Sequence, residues 1–199
     1  MKVTKEQAQQ NKQALLDAAG ALFKEHGIDG VGVADVCREA GLTHGALYKH
    51  FIDKQDLAAQ AFTNAFRAGY DKVSAPKAGK ERTLDTYLNA YLSKRVRDDL
   101  SKGCPLVSTA CETGRQSEAV SRSFADAFVE LRSGVEVVLS EDGRGDRAAQ
   151  ASLMVAALVG AMAISRGVVK ADRDLADEVL AQVHSVLGGM AAAELPQRR

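Results

Sequence analysis

Apolar positions along the 199-residue chain recur at three- and four-residue intervals almost throughout, and no stretch alternates with period two for long enough to make a strand. Leu15, Leu16, Ala19, Leu22 and Phe23 form the first stripe, behind a Thr4-Lys5-Glu6-Gln7 run with the form of a capping box and ahead of a stop at Gly27. A short helix carrying Val33, Val36, Cys37 and Ala40 follows, with Gly41 as its C-terminal stop. Thr43 can cap another through Phe51, and Asp53 a longer one bearing Leu57, Phe62, Ala65 and Phe66 that ends before Pro76. Pro76 and Gly79 make residues 74–80 the plainest break in the pattern.

Beyond that break the spacing predicts a fifth helix over Leu84, Tyr87, Leu88, Tyr91 and Leu92, giving way at residues 101–103. Pro105 suits the first turn of a sixth, short helix that Gly114 ends, and Ser117 opens a seventh with Phe124, Phe128, Leu131, Val135 and Val138 on one face. A Gly-rich loop at 142–146 precedes an eighth helix (about 147–169) and a ninth (about 172–187), which Gly188 and Gly189 break; Arg198 and Arg199 form a frayed tail. The expected architecture is all-α with about nine helices, divided into residues 1–53 and residues 54–199.

Composition narrows the class. A 46% apolar and 26% charged chain of this length with three prolines is globular and can bury a sizeable core. Cys37, Cys104 and Cys111 are odd in number and show no CxxC spacing, so neither a disulfide framework nor a zinc ribbon is expected, and a reducing cytoplasm is the expected compartment. The polar N-terminus is not a signal peptide. Residues 148–165 carry no charge, but their Ala and Gly content and the Arg166 that follows read as a helix packed against other helices; no membrane partner is expected. His26, His44, His50 and His184 lack metal-ligand spacing, no serine lies in a nucleophile elbow, and no Gly-rich loop follows a strand. Hence no catalytic residue, metal or cofactor is expected, and an enzyme is disfavoured.

Charge argues at first against a nucleic-acid partner, since 26 basic side chains are matched by 26 acidic ones. Even residues 1–57 hold seven basic and eight acidic groups. Yet residues 40–52 contain no acid, and they carry His44, Lys49 and His50, with Lys54 just beyond. Two short helices meet here at a turn where Gly41 can take positive φ and Leu42 plugs the angle. Val36, Ala40, Leu42, Leu47 and Phe51 would form the core of this unit, leaving Thr43, His44, Gly45, Ala46, Tyr48, Lys49 and His50 outward. Small residues at the start of such a face permit close approach to a major groove, and the hydroxyl, lysine and histidines suit phosphates or base edges. The alternative is an ordinary helical hairpin with a solvated face.

Residues 15–57 resemble the DNA-binding domain of TetR-family regulators, through Leu22-Phe23-x-x-x-Gly27, then Ala40-Gly41-Leu42-Thr43-x-Gly45-x-Leu47-Tyr48-x-His50-Phe51, then Lys54. The resemblance implies a homodimer with two helix-turn-helix heads on palindromic operator DNA, by default a repressor, and a variable C-terminal domain that binds a small-molecule inducer of unknown identity. By position, Tyr48, Lys49, His50 and Lys54 become backbone-phosphate contacts and Thr43, His44 and Ala46 candidates at base edges. Two departures stand out: Val31 and Gly32 replace the usual Thr or Ser cap of the second helix, and Ala34 the Arg that often follows. The recognition helix also lacks Arg, Asn and Gln, the strongest bidentate base readers.

The predicted eighth and ninth helices are the natural dimer interface, through Ala151, Val155, Leu158, Val159 and Met162 on one and Leu175, Val179, Val183 and Leu187 on the other; the same stripes would also serve as intrachain core. Candidate pocket residues are Phe62, Phe66, Tyr87, Tyr91, Cys104, Glu112, Phe124 and Phe128, although aromatics at helical spacing are more often core. Gly103-Cys104-Pro105-Leu106 is similar to a stretch found in one branch of the TetR family. It puts Cys104 at a helix N-cap, where the dipole and Lys102 would lower a thiol pKa and allow a thiol-modification trigger as the alternative to an inducer.

Overall fold

The computed structural model describes residues 4–74, 83–101, 103–139 and 146–192. The expected break at 74–80, the loop at 142–146, Lys102 and the terminal arginines fall wholly or nearly so outside them. Among the described residues the chain is all-helical: α1 (Lys5–His26), α2 (Val33–Glu39), α3 (His44–Leu47), α4 (Lys54–Ser74), α5 (Leu84–Tyr91), α6 (Lys94–Asp98), α7 (Pro105–Thr113), α8 (Glu118–Val138), α9 (Arg147–Val168) and α10 (Arg173–Ala192).

Two boundaries differ from the pattern reading. The expected fifth helix is two, because the Ser93 hydroxyl accepts the Val96 N–H and starts α6 afresh after Leu92. The described residues thus hold ten helices, in keeping with the expected all-α fold of about nine. At the other end, α10 runs through Gly188 and Gly189 to Ala192. Glycine weakens a helix interior by about 1 kcal/mol relative to alanine but does not stop it unless the backbone turns left-handed.

The described chain forms two compact units. One comprises Met1–Lys72 and Leu100–Phe128, the other Val73–Asp99 and Val129–Arg199. In the first, Leu15, Ala19 and Phe23 of α1, Val36 of α2, Leu47, Phe51, and Leu57 and Ala61 of α4 bury together, with Val120 of α8 in the same cluster. Gly20 lets α1 cross α4 closely: a Cβ there would lie 3.3 Å from that of Ala65. Beside this contact Gln13 donates to Asp17 and Asn64, and Asn64 to Asp17, an amide clip between α1 and α4.

In the second unit α9 lies along α10. Ala151, Met154, Val155, Leu158, Ala161, Met162 and Ser165 of α9 are buried, and the Ser165 hydroxyl donates to the Ala176 carbonyl at 2.8 Å. Ala151, Val155, Leu158 and Met162, expected at a dimer interface, are therefore intrachain core, as is Leu187 of α10. The opposite face of α9 leaves Leu153 and Ile164 exposed, with Ala156 and Ala163 beside them, and α10 leaves Leu175, Val186 and Met190. Among the described residues α9 is also the helix long and apolar enough to cross a membrane by length and composition alone. A wholly buried Arg97 on α6 is held by Asp98 and by Asp177 of α10, which also takes Lys94.

Candidate nucleic-acid interface

The site is assembled around one turn. After α2 the Leu42 N–H bonds to the Cys37 carbonyl (2.8 Å) and the Gly41 N–H to the Arg38 carbonyl (3.2 Å), with Gly41 at φ 66°. These six-to-one and five-to-two bonds are a Schellman motif, and they aim Leu42 back onto the core it half-buries in. Thr43 then caps α3, its hydroxyl accepting the Ala46 N–H at 3.3 Å. The helix proper is short, but bonds from Tyr48 to His44 and from Phe51 to Leu47 carry its turns on to Phe51. Asp53 closes the unit by accepting the Asp56 N–H (2.8 Å), while Asp56 accepts that of Ile52 (3.0 Å), and α4 begins.

Burial sorts the side chains. Leu47 and Phe51 are in the core; Thr43, His44, Gly45, Tyr48 and Lys49 are exposed; Ala46, His50 and Lys54 are half-buried. Thr43, His44, Ala46, Tyr48, Lys49 and His50 thus share one short segment, with Lys54 at the start of the next helix. Tyr48 is 56% exposed, an aromatic ring held in solvent. Ile52, which the pattern reading did not single out, is 87% exposed at the end of the same segment. A chain entering a major groove can place such groups against phosphate oxygens and the thymine methyl.

The start of α2 explains how it manages without a Thr or Ser cap. Asp35 reaches back to accept the Gly32 N–H at 3.0 Å and pairs with Arg38 at 2.7 Å. The Gly32 amide and then the Arg38 guanidinium hold the Asp35 carboxyl below its ordinary 3.8. A helix start that commonly attracts anions therefore carries an ionised carboxylate here.

The candidate pocket residues fall into separate groups. Phe62 and Phe124 pack at 5.9 Å between ring centroids, and Phe66 stacks on Tyr70 at 5.5 Å, all in the first unit. Phe128 is half-buried at that unit's end of α8. Tyr87 and Tyr91 belong to the second unit and pair with each other at 6.1 Å. Cys104 is the half-buried N-cap residue of α7, between Gly103 at φ 108° and Pro105. Glu112 lies on the last turn of α7, and both its carboxylate oxygens accept the backbone N–H of Ile28, at 3.1 Å each. Among the described residues no group of three His, Cys, Asp or Glu could hold a metal ion.

Two segments of the chain match known families. Residues 15–61 match the pattern of bacterial regulatory proteins of the tetR family, and residues 82–176 that of the LmrA/YxaF-like transcriptional regulator C-terminal domain. The HTH-type transcriptional regulator LmrA of Bacillus subtilis is 28% identical over 158 residues, 75% of this chain and 82% of that protein. The HTH-type transcriptional regulator AcrR of Shigella flexneri is 40% identical over 57 residues, but these span only 29% of this chain and 26% of that protein. A transcriptional regulator of the TetR family from Cytophaga hutchinsonii superposes with a TM-score of 0.76 at 22% identity, covering 95% of this chain and 98% of that one.

Proposed function

We propose that this chain, which belongs to the TetR family of DNA-binding transcriptional regulators, is a repressor that binds a palindromic operator as a homodimer and releases it when a small molecule occupies the C-terminal domain. One observation carries the reading. The Gly41 turn and the Thr43 cap present Thr43, His44, Tyr48 and Lys49 together on a solvent face with no acid between residues 40 and 52. Phosphate contacts from Tyr48, Lys49, His50 and Lys54 would set register, while Thr43, His44 and Ala46 would meet base edges.

Dimerisation is supported by the apolar residues that α9 and α10 leave uncovered. Leu153, Ala156 and Ile164 recur at helical spacing opposite the buried face of α9, with Ala163 at its edge, and Leu175 and Val186 do the same on α10. Two α9–α10 pairs would make a four-helix interface and hold two heads about 34 Å apart, one turn of DNA. A ligand that favours a different head spacing then shifts the population away from the DNA-competent dimer.

Selection of bound duplexes from a random pool, followed by titration with the Lys49→Ala variant, tests this. A recovered palindrome whose binding Lys49→Ala weakens by about 1–3 kcal/mol supports the reading; recovery of no common sequence overturns it. Cys104 keeps a second trigger in view, because it is the half-buried residue at the start of α7, the helix whose far end holds Ile28. If Cys104→Ser leaves release by oxidants and electrophiles unchanged, that trigger is excluded.

A further inference from the structure

At the end of the recognition segment stand two side chains beyond those read as DNA contacts from the sequence. Lys12 of α1 is brought to this end by the fold, its Nζ 5.7 Å from the centre of the Phe51 ring. Ile52, the residue after Phe51, is 87% exposed, against 67% for Val137, the next most exposed large apolar side chain among the described residues. Both belong to the compact unit that carries the helix-turn-helix.

Ile52 is held still although its side chain is bare. Its N–H donates to Asp56 at 3.0 Å, Asp53 accepts the Asp56 N–H at 2.8 Å, and Phe51 before it is anchored in the core. A β-branched side chain on a fixed backbone has few rotamers left to lose, so covering it costs little entropy and removes apolar surface from water. Lys12 is half-buried beside the Phe51 ring, a placement that steadies its ammonium. The carboxylates around it are engaged elsewhere: Asp53 and Asp56 accept the N–H groups that start α4, and Asp17 accepts Gln13 and Asn64. Among the described residues Lys12 makes no ion pair, so its charge is available to a phosphate.

A recognition helix reaches base edges with its N-terminal residues, here Thr43, His44 and Ala46, while neighbouring parts of the domain meet the strand backbone. That backbone offers phosphate oxygens to a cation and deoxyribose carbons to an apolar side chain. We propose that Lys12 and Ile52 form a second DNA contact, on the sugar–phosphate backbone beside the base pairs read by the N-terminal end of the segment. Lys12 pairs with a phosphate oxygen and Ile52 lies against deoxyribose carbons. The inference rests on the operator reading above and adds to it a cation from another helix and an apolar contact. It also answers a deficit, since the Asp35 carboxylate at the start of α2 leaves that helix little to offer phosphate.

The test is the salt dependence of binding by the full-length protein to the labelled selected palindrome, followed by fluorescence anisotropy from about 50 to 300 mM NaCl. Lys12→Met keeps an unbranched stem beside Phe51 but removes the charge. It should make the slope of log K against log salt shallower by about 0.9, and Lys12→Arg should restore it. A role confined to packing on Phe51 would leave the slope unmoved. Ile52→Ala should weaken binding about 3- to 10-fold with the slope unchanged, and Ile52→Val should recover most of that loss. An unmoved slope in Lys12→Met, or wild-type affinity in Ile52→Ala, overturns the contact. If Lys12→Met fails to fold, Lys12→Gln takes its place, and the Ile52 variants, at an exposed position, decide if neither folds. A wild-type protein that binds a scrambled duplex as tightly as the palindrome overturns the operator reading itself, and this contact falls with it.

Discussion

Gly41 holds φ 66° with open space where a Cβ would stand, so Gly41→Ala meets no neighbour and is opposed by backbone strain alone. That variant should lose about 1–2 kcal/mol of stability by denaturant titration, with operator affinity unchanged once folded protein is counted. The turn was legible because Gly41, Leu42 and Thr43 act through local backbone rules. Thr4, Thr43 and Asp53 were legible as caps for the same reason. Asp35 is not legible as the cap of α2, because the family's usual cap is a hydroxyl at the N-cap and Asp35 bonds backwards from three residues inside. Its charge has a consequence for DNA: with Ala34 uncharged beside it, α2 offers phosphate little. Ala34→Arg should therefore tighten operator binding and steepen the salt dependence of log K by about 0.9.

At the scale of helices, the apolar pattern locates seven of the ten described elements within a few residues, and α5, α6 and α10 are the exceptions. Ser93 divides α5 from α6 through its own hydroxyl, a local cap on Val96, and the Gly188-Gly189 pair fails to divide α10 because neither glycine turns left-handed. Arg97, by contrast, depends on tertiary context, since nothing in its local sequence marks it as buried. Arg97→Met should cost about 2 kcal/mol, less than the ~3–5 for breaking a fully buried pair because both carboxylates keep some water. Lys94 and then Arg97 hold the Asp177 carboxyl below its ordinary 3.8. A lowered folded value means that the stability Asp177 contributes is complete above the ordinary carboxylate range and is lost as pH falls through the lowered value. Asp177→Asn should consequently lower the melting temperature at neutral pH and flatten its fall below about pH 4, as followed by circular dichroism. The Glu112–Ile28 contact lies beyond sequence reasoning altogether, because Ile28 contributes only a backbone N–H.

For the whole molecule, zero net charge and a short acid-free face imply weak nonspecific DNA affinity and reliance on a few contacts. The face proposed for dimerisation is the least legible feature. Helical periodicity marks both the buried and the exposed face of α9 as apolar, and only burial separates Ala151, Val155, Leu158 and Met162 from Leu153 and Ile164. On this proposal the exposed face of residues 43–50 reads DNA. Fluorescence anisotropy of the selected palindrome against wild type, Lys49→Ala and a scrambled duplex of equal length tests it most directly. Wild type should prefer the palindrome over the scrambled duplex by at least about 10³-fold, and Lys49→Ala should weaken palindrome binding by about 10-fold or more. Equal affinity for both duplexes, or an unchanged palindrome affinity in Lys49→Ala, would contradict it.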